Sequence, residues 1–155
     1  MKFAIIACLV TGIAAGTGPA KAVDASYIGA WKLTGAAVAP WADPKQKPDS
    51  AEMTRLLKKT IVFQKKRIAG PPPFACWAPR YKKSDVPADV LFQGAFEEMQ
   101  SKNKSIDPIK LAAAPGFTGK TVRALETGCE IDFHFVEAAT AEIGLNDDVY
   151  TLKKQ

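Results

Sequence analysis

The chain has 155 residues, 47% of them hydrophobic and 24% charged, with a formal net charge of +5. That length suits one domain with a core that does not depend on a metal, and no internal repeat is visible. The charge is too small to argue for nucleic acid as a partner.

Lys2 supplies a minimal positive start, residues 3–10 are apolar, and Ala20-Lys21-Ala22 has the small-x-small pattern of signal-peptidase cleavage. Residues 1–22 are therefore expected to be a signal peptide, and residues 23–155 one exported domain, periplasmic or secreted, that begins at Val23. Thr11, Gly12, Gly16 and Thr17 break the apolar run short of the ~20 residues that span a bilayer, so the mature chain is expected to carry no transmembrane segment. Ile5-Ile6-Ala7-Cys8 has the form of a lipobox, but the apolar stretch continues past Cys8, as in an ordinary leader. Loss of the leader removes Lys2 and Lys21 and no acid, so the charge falls from +5 to +3. Export argues further against nucleic acid. Lys58-Lys59, Lys65-Lys66-Arg67 and Lys82-Lys83 read as solvated faces.

Residues 27–39 read as the first strand, with Trp31 as a core anchor. A loop with Pro40, Trp41, Pro44 and Pro48 leads to Asp49, which caps a helix with Glu52 three positions on. Met53, Leu56 and Leu57 form the apolar stripe of that helix, which ends near Lys58-Lys59. Residues 60–68 follow as one strand, with Ile61 and Phe63 on the same face. Gly70-Pro71-Pro72-Pro73 is a rigid break and not a phosphate cradle, because prolines lack the N–H groups that would bind an anion. Residues 74–81 bring Cys76 to the sheet as a short edge segment limited by Pro79.

From about Pro87, the spacing of Phe92, Ala95, Phe96 and Met99 marks an amphipathic helix reaching Lys102, with Gly94 as its weak point. Asn103-Lys104-Ser105 fits the N-glycosylation pattern and is read as unmodified. Asp107-Pro108 supplies an N-cap and a first-turn proline for a short helix that ends before Pro115-Gly116. Residues 130–136 alternate as a strand, with Ile131, Phe133 and Phe135 on one face and Glu130, Asp132 and His134 on the other. Asn146-Asp147-Asp148 then turns the chain between strands at 140–145 and 149–152. The expected architecture is α+β: a curved antiparallel sheet or partial barrel of about six or seven strands, with two or three helices packed on it. With Cys8 in the leader, Cys76 and Cys129 remain as an even pair in an oxidising compartment and are expected to be bonded.

Gly29-Ala30-Trp31 resembles the G-x-W motif that opens the first strand of lipocalins, where the tryptophan packs at the closed base of a ligand-binding barrel. The resemblance covers these three residues and implies a small exported barrel-like domain with Trp31 as its base plug. The mid-chain helices depart from an uninterrupted eight-stranded lipocalin barrel.

No serine sits in a G-x-S-x-G elbow, one histidine would have to serve any triad, and Glu97 and Glu98 are adjacent, pointing apart on a helix. No Walker, dinucleotide or EF-hand pattern is present, and no cofactor is expected. The tightest constellation is Glu130-x-Asp132-x-His134, three possible metal ligands ~7 Å apart on one strand face. The plainer reading, preferred here, makes that face the solvent side of a strand whose phenylalanines fill the core. The expected function is therefore non-enzymatic: an exported binding or inhibitor-type protein for a small apolar ligand or an envelope protein. Trp41 and Trp77 are its expected contact residues, because aromatic anchors dominate interface energetics, against the plainer and slightly preferred reading that the two rings merely cover the ends of the sheet. The alternative is a metal-binding or hydrolytic protein using Glu130, Asp132 and His134.

Overall fold

The computed structural model describes residues 26–45 and 47–155; the expected leader, with Cys8 and the cleavage point before Val23, lies outside the described residues. The strands are β1 (Gly29–Val38), β2 (Thr60–Gln64), β3 (Arg67–Ala69), β4 (Cys76–Trp77), β5 (Lys82–Pro87), β6 (Thr121–Glu126), β7 (Phe133–Glu137), β8 (Thr140–Leu145) and β9 (Asp148–Lys154). The helices are α1 (Ser50–Leu56), α2 (Leu91–Lys102) and α3 (Pro108–Ala113), with a 3-10 turn at Ala88–Val90 ahead of α2.

All nine strands among the described residues form one antiparallel sheet in the order β4-β3-β2-β1-β9-β8-β7-β6-β5. The first strand pairs with β2 on one side and with the last strand on the other. The two outermost strands, β4 and β5, are consecutive in the chain, separated only by residues 78–81. Four residues reach at most ~14 Å, so the sheet has to curl until its edges approach, and it forms a half-barrel. The gap is bridged by Arg80 N–H donating to Thr127 O (2.7 Å), Tyr81 Oη donating to Gln64 O (2.8 Å), and a disulfide between Cys76 and Cys129 with Cα atoms 6.4 Å apart.

The sheet is richer than the expected six or seven strands, for two local reasons. Residues 60–68 are a hairpin and not one strand, because the chain reverses at Lys65-Lys66. Strand β5 has no apolar alternation; its lysines, Asp85 and Pro87 are what a sheet edge carries to resist further pairing, and they resemble a loop. It nonetheless pairs along its whole length with β6, from Lys82↔Glu126 to Pro87↔Thr121.

Alternation along the strands gives the sheet two faces, and both are covered. Inside the curl, Trp31, Leu33, Phe63, Phe133, Ile143 and Tyr150 pack together, with Leu56 of α1. Trp31 is 1% exposed, and its Nε1 donates to Tyr27 O at 2.8 Å. On the other face, Val122 and Val149 pack with Leu91 and Phe96 of α2, Ala112 of α3, and Phe117.

The helix caps form where the residue types place them. Asp49 accepts from the N–H groups of Ala51 (3.1 Å) and Glu52 (3.0 Å), and Asp107 from those of Ile109 (3.0 Å) and Lys110 (3.4 Å). The start of α2 differs from a regular helix. Phe92 (φ 52, ψ 46), Gln93 (φ 61, ψ 34) and Gly94 (φ 83, ψ 13) are consecutively left-handed, and only Gly94 adopts that region without strain. Phe92 still joins the same cluster as Ala95, Phe96 and Met99, but through a kinked backbone.

Candidate functional site

The sheet face under α2 and α3 holds polar side chains where a core would be apolar. In β7 and β8 the odd-numbered residues Phe133, Phe135, Ala141 and Ile143 face the curl, so His134 and Glu142 point to the opposite face. Register places His134 across from Glu142, and Glu142 across from Thr151 of β9. His134 is 4% exposed and Glu142 5%. The solvent-facing role expected for His134 is therefore overturned: the helices that the apolar stripe of Phe92 and Phe96 demanded have this face to cover.

Burial sets the protonation of both groups. Desolvation pushes the His134 imidazole down from 6.5 to about 4, with a hydrogen bond from the ring to the Glu142 backbone acting the other way. The ring packs edge-to-face on Phe92 at 5.0 Å, and its Nδ1 has no hydrogen-bond partner among the described residues. Desolvation pushes Glu142 up from 4.5 to about 7, opposed by the hydroxyl of Thr151, which donates to Oε2 at 3.2 Å, and by the charge of Lys153.

Glu130 and Asp132 lie before β7, which starts at Phe133 and not at Glu130. The loop is shaped by Thr127, 0% exposed, whose Oγ1 donates to Ile131 O (3.0 Å) and accepts from Cys129 N–H (3.2 Å). Glu130 is exposed, Asp132 half-buried and His134 buried, so the three are not presented side by side on a strand face. Among the described residues no three His, Cys, Asp or Glu side chains converge as a cation cage. Burial raises the Asp132 carboxyl, with Glu126 adding to the effect and a hydrogen bond from the Thr127 backbone opposing it.

Asp132 and His134 instead share a cleft of about 310 Å³ with Trp41 and Phe92, whose ring centroids are 5.0 Å apart. Gly144 of β8 lies directly beneath these rings. A Cβ there would meet Phe92 Cδ1 at 3.1 Å and Trp41 Cη2 at 3.2 Å, so the rings rest on strand backbone. A second cleft of about 350 Å³, lined by Val38, Pro40, Pro115 and Val149, reaches Glu142 and Thr151. Sequence reasoning missed Glu142, Phe92 and Gln93. The one available signal was the stripe of α2, which requires an apolar or neutral surface opposite it.

The other expected contact residue, Trp77, lies apart from this cleft on edge strand β4, beside Cys76. Its side chain is 80% exposed. It pairs in register with Arg67, and Lys66 and Arg80 nearby are exposed.

The buried pair makes a pH prediction. His134 titrates lower in the folded chain than unfolded, so the unfolded state binds more protons between pH 4 and 6.5, and stability falls as pH drops through that window. Glu142 titrates higher when folded, so the folded state binds more protons between 4.5 and 7, and stability falls as pH rises through that window. The slopes oppose, and the contributions of these two groups are expected to nearly cancel between 4.5 and 6.5. Glu142→Gln exposes the histidine slope, a gain of about 3 kcal/mol from the acid to the neutral end. His134→Gln exposes the reverse slope, about 2 kcal/mol after allowance for solvent screening in the cleft. Urea titrations across the window measure both; parallel profiles for the two variants would refute the assignment.

Comparison of the chain with protein-family models, with curated proteins and with solved structures gives no match.

Proposed function

We propose that this chain is an exported, non-enzymatic binding protein of inhibitor type, which recognises another envelope protein by inserting Trp77 into a pocket of the partner. The observation that carries the reading is the 80% exposure of that indole, on a strand of two residues pinned by the Cys76–Cys129 disulfide. An exposed aromatic on a rigid edge loses little conformational entropy on binding, which is what an anchor residue needs. Lys66, Arg67 and Arg80 around it favour an acidic partner surface. The disulfide is compatible with an oxidising compartment, in keeping with a periplasmic or secreted location. A lipocalin-like mode, with a small apolar ligand inside the barrel, is given less weight because packed side chains fill the curl. The likeness at Gly29-Ala30-Trp31 is carried only as far as a barrel-like exported domain with Trp31 in its core.

The test compares wild type with Trp77→Ala. The variant should melt as the wild type does, within about 0.5 kcal/mol, because the ring is mostly in solvent. Its retention of partner from an envelope extract should fall by about 2 kcal/mol, roughly 30-fold. Equal retention by the two proteins would sink the reading.

A further inference from the structure

We propose that the cleft between Trp41, Phe92 and Asp132 binds a small organic ammonium ion, a site separate from the Trp77 edge. Its walls offer a carboxylate and two aromatic rings, and each of its indole and amide side chains already donates a hydrogen bond to the protein. The indole N–H of Trp41 donates to Asn146 O (3.1 Å), the Gln93 side-chain amide donates to Glu130 O (2.9 Å), and that of Asn146 donates to Glu52 Oε2 (2.9 Å). The ionisable groups lining the cleft are Asp132, Glu98 and His134, with no lysine or arginine among them. Glu98 is at the exposed rim, where Lys102 pairs with it at 2.6 Å. An anion would meet carboxylates here, whereas an ammonium group meets a carboxylate beside two aromatic rings, the combination that selects organic cations.

A further observation points to a ligand. His134, more than nine-tenths buried, lines the cleft, its Nδ1 has no hydrogen-bond partner among the described residues, and an unpaired buried polar atom in a native fold calls for an explanation. The left-handed backbone of Phe92 and Gln93 holds the Phe92 ring against Trp41 and His134. Burial raises Asp132, and the neighbouring charge that acts on it is Glu126, of its own sign. A bound cation would supply the missing counter-charge. A volume of about 310 Å³ limits the ligand to a short-chain or single-ring amine.

The experiment titrates the protein at neutral pH with benzylammonium, with benzyl alcohol as the uncharged analogue and benzoate as the charge-reversed one. Heat of binding is followed together with the Trp41 indole and His134 ring NMR signals. Benzylammonium is expected to saturate at a concentration at least about tenfold below benzyl alcohol and to shift both signals, while benzoate does not saturate. Asp132→Asn should weaken benzylammonium about tenfold, and Trp77→Ala should leave the titration unchanged. The proposal is overturned if benzylammonium fails to saturate, if benzyl alcohol or benzoate binds as well, or if Asp132→Asn binds undiminished. Should Asp132→Asn fail to fold, the wild-type comparison of the three probes decides alone.

Discussion

Reduction of the Cys76–Cys129 disulfide lowers stability by about 4 kcal/mol, which for a domain of this size is a fall in melting temperature of roughly 10–15 °C. The bond closes a loop with a sequence separation of 53, and restriction of the unfolded chain grows with the logarithm of that length. The folded state adds a reason of its own. Strand β4 consists of Cys76 and Trp77 and pairs only at Arg67↔Trp77 and Ile68↔Cys76. With the bond cut, that edge is held near the β6–β7 loop by isolated hydrogen bonds such as Arg80 N–H to Thr127 O. Calorimetry on native and reduced, alkylated protein measures the loss. A change under about 1 kcal/mol would show that packing inside the curl holds the two edges together without the bridge.

Phe133→Ala costs about 3–5 kcal/mol, and Phe135→Ala about half as much. Both rings face the curl, and the alternation of residues 130–136 treats them as equals. In the fold, Phe133 is 2% exposed and meets Phe63 edge-to-face at 4.8 Å, in the centre of the core. Phe135 is half-buried. It touches Trp31 at 5.6 Å on one side and lines a cleft with Lys83 and Arg123 on the other, so truncation there leaves space that water already reaches. Urea unfolding of the two variants gives the ranking directly. An equal or inverted order would move the centre of the core toward the Phe135 end of β7.

Signals that act within a few residues were legible in the chain. Asp49 and Asp107 cap helices because a short acceptor side chain reaches N–H groups two and three positions on, whatever surrounds it. Asn146-Asp147 turns the chain between β8 and β9 because asparagine tolerates the positive φ of 54° found there. Alternation separated Phe133 from His134 correctly, since successive side chains of a strand must point to opposite faces. The pairing of Cys76 with Cys129 followed from there being two cysteines once Cys8 is assigned to the leader.

What alternation cannot carry is the identity of the layer lying on each face. A strand with one polar side reads as half-exposed. The cover over His134 and Glu142 comes from Phe92, Phe96 and Phe117, which lie between 17 and 50 residues away along the chain. The approach of β4 to β5 across the curl, which gives Trp77 its exposed and pinned position, likewise depends on the summed twist of nine strands and on no single turn. The left-handed stretch at Phe92 and Gln93 is decided by packing alone, because Gly94 is the one residue there whose own preference allows it. Local hydrogen bonding and side-chain period thus determined the caps, the last hairpin and the strand faces, and only the closing of the sheet and the docking of α2 and α3 decided which polar groups were buried.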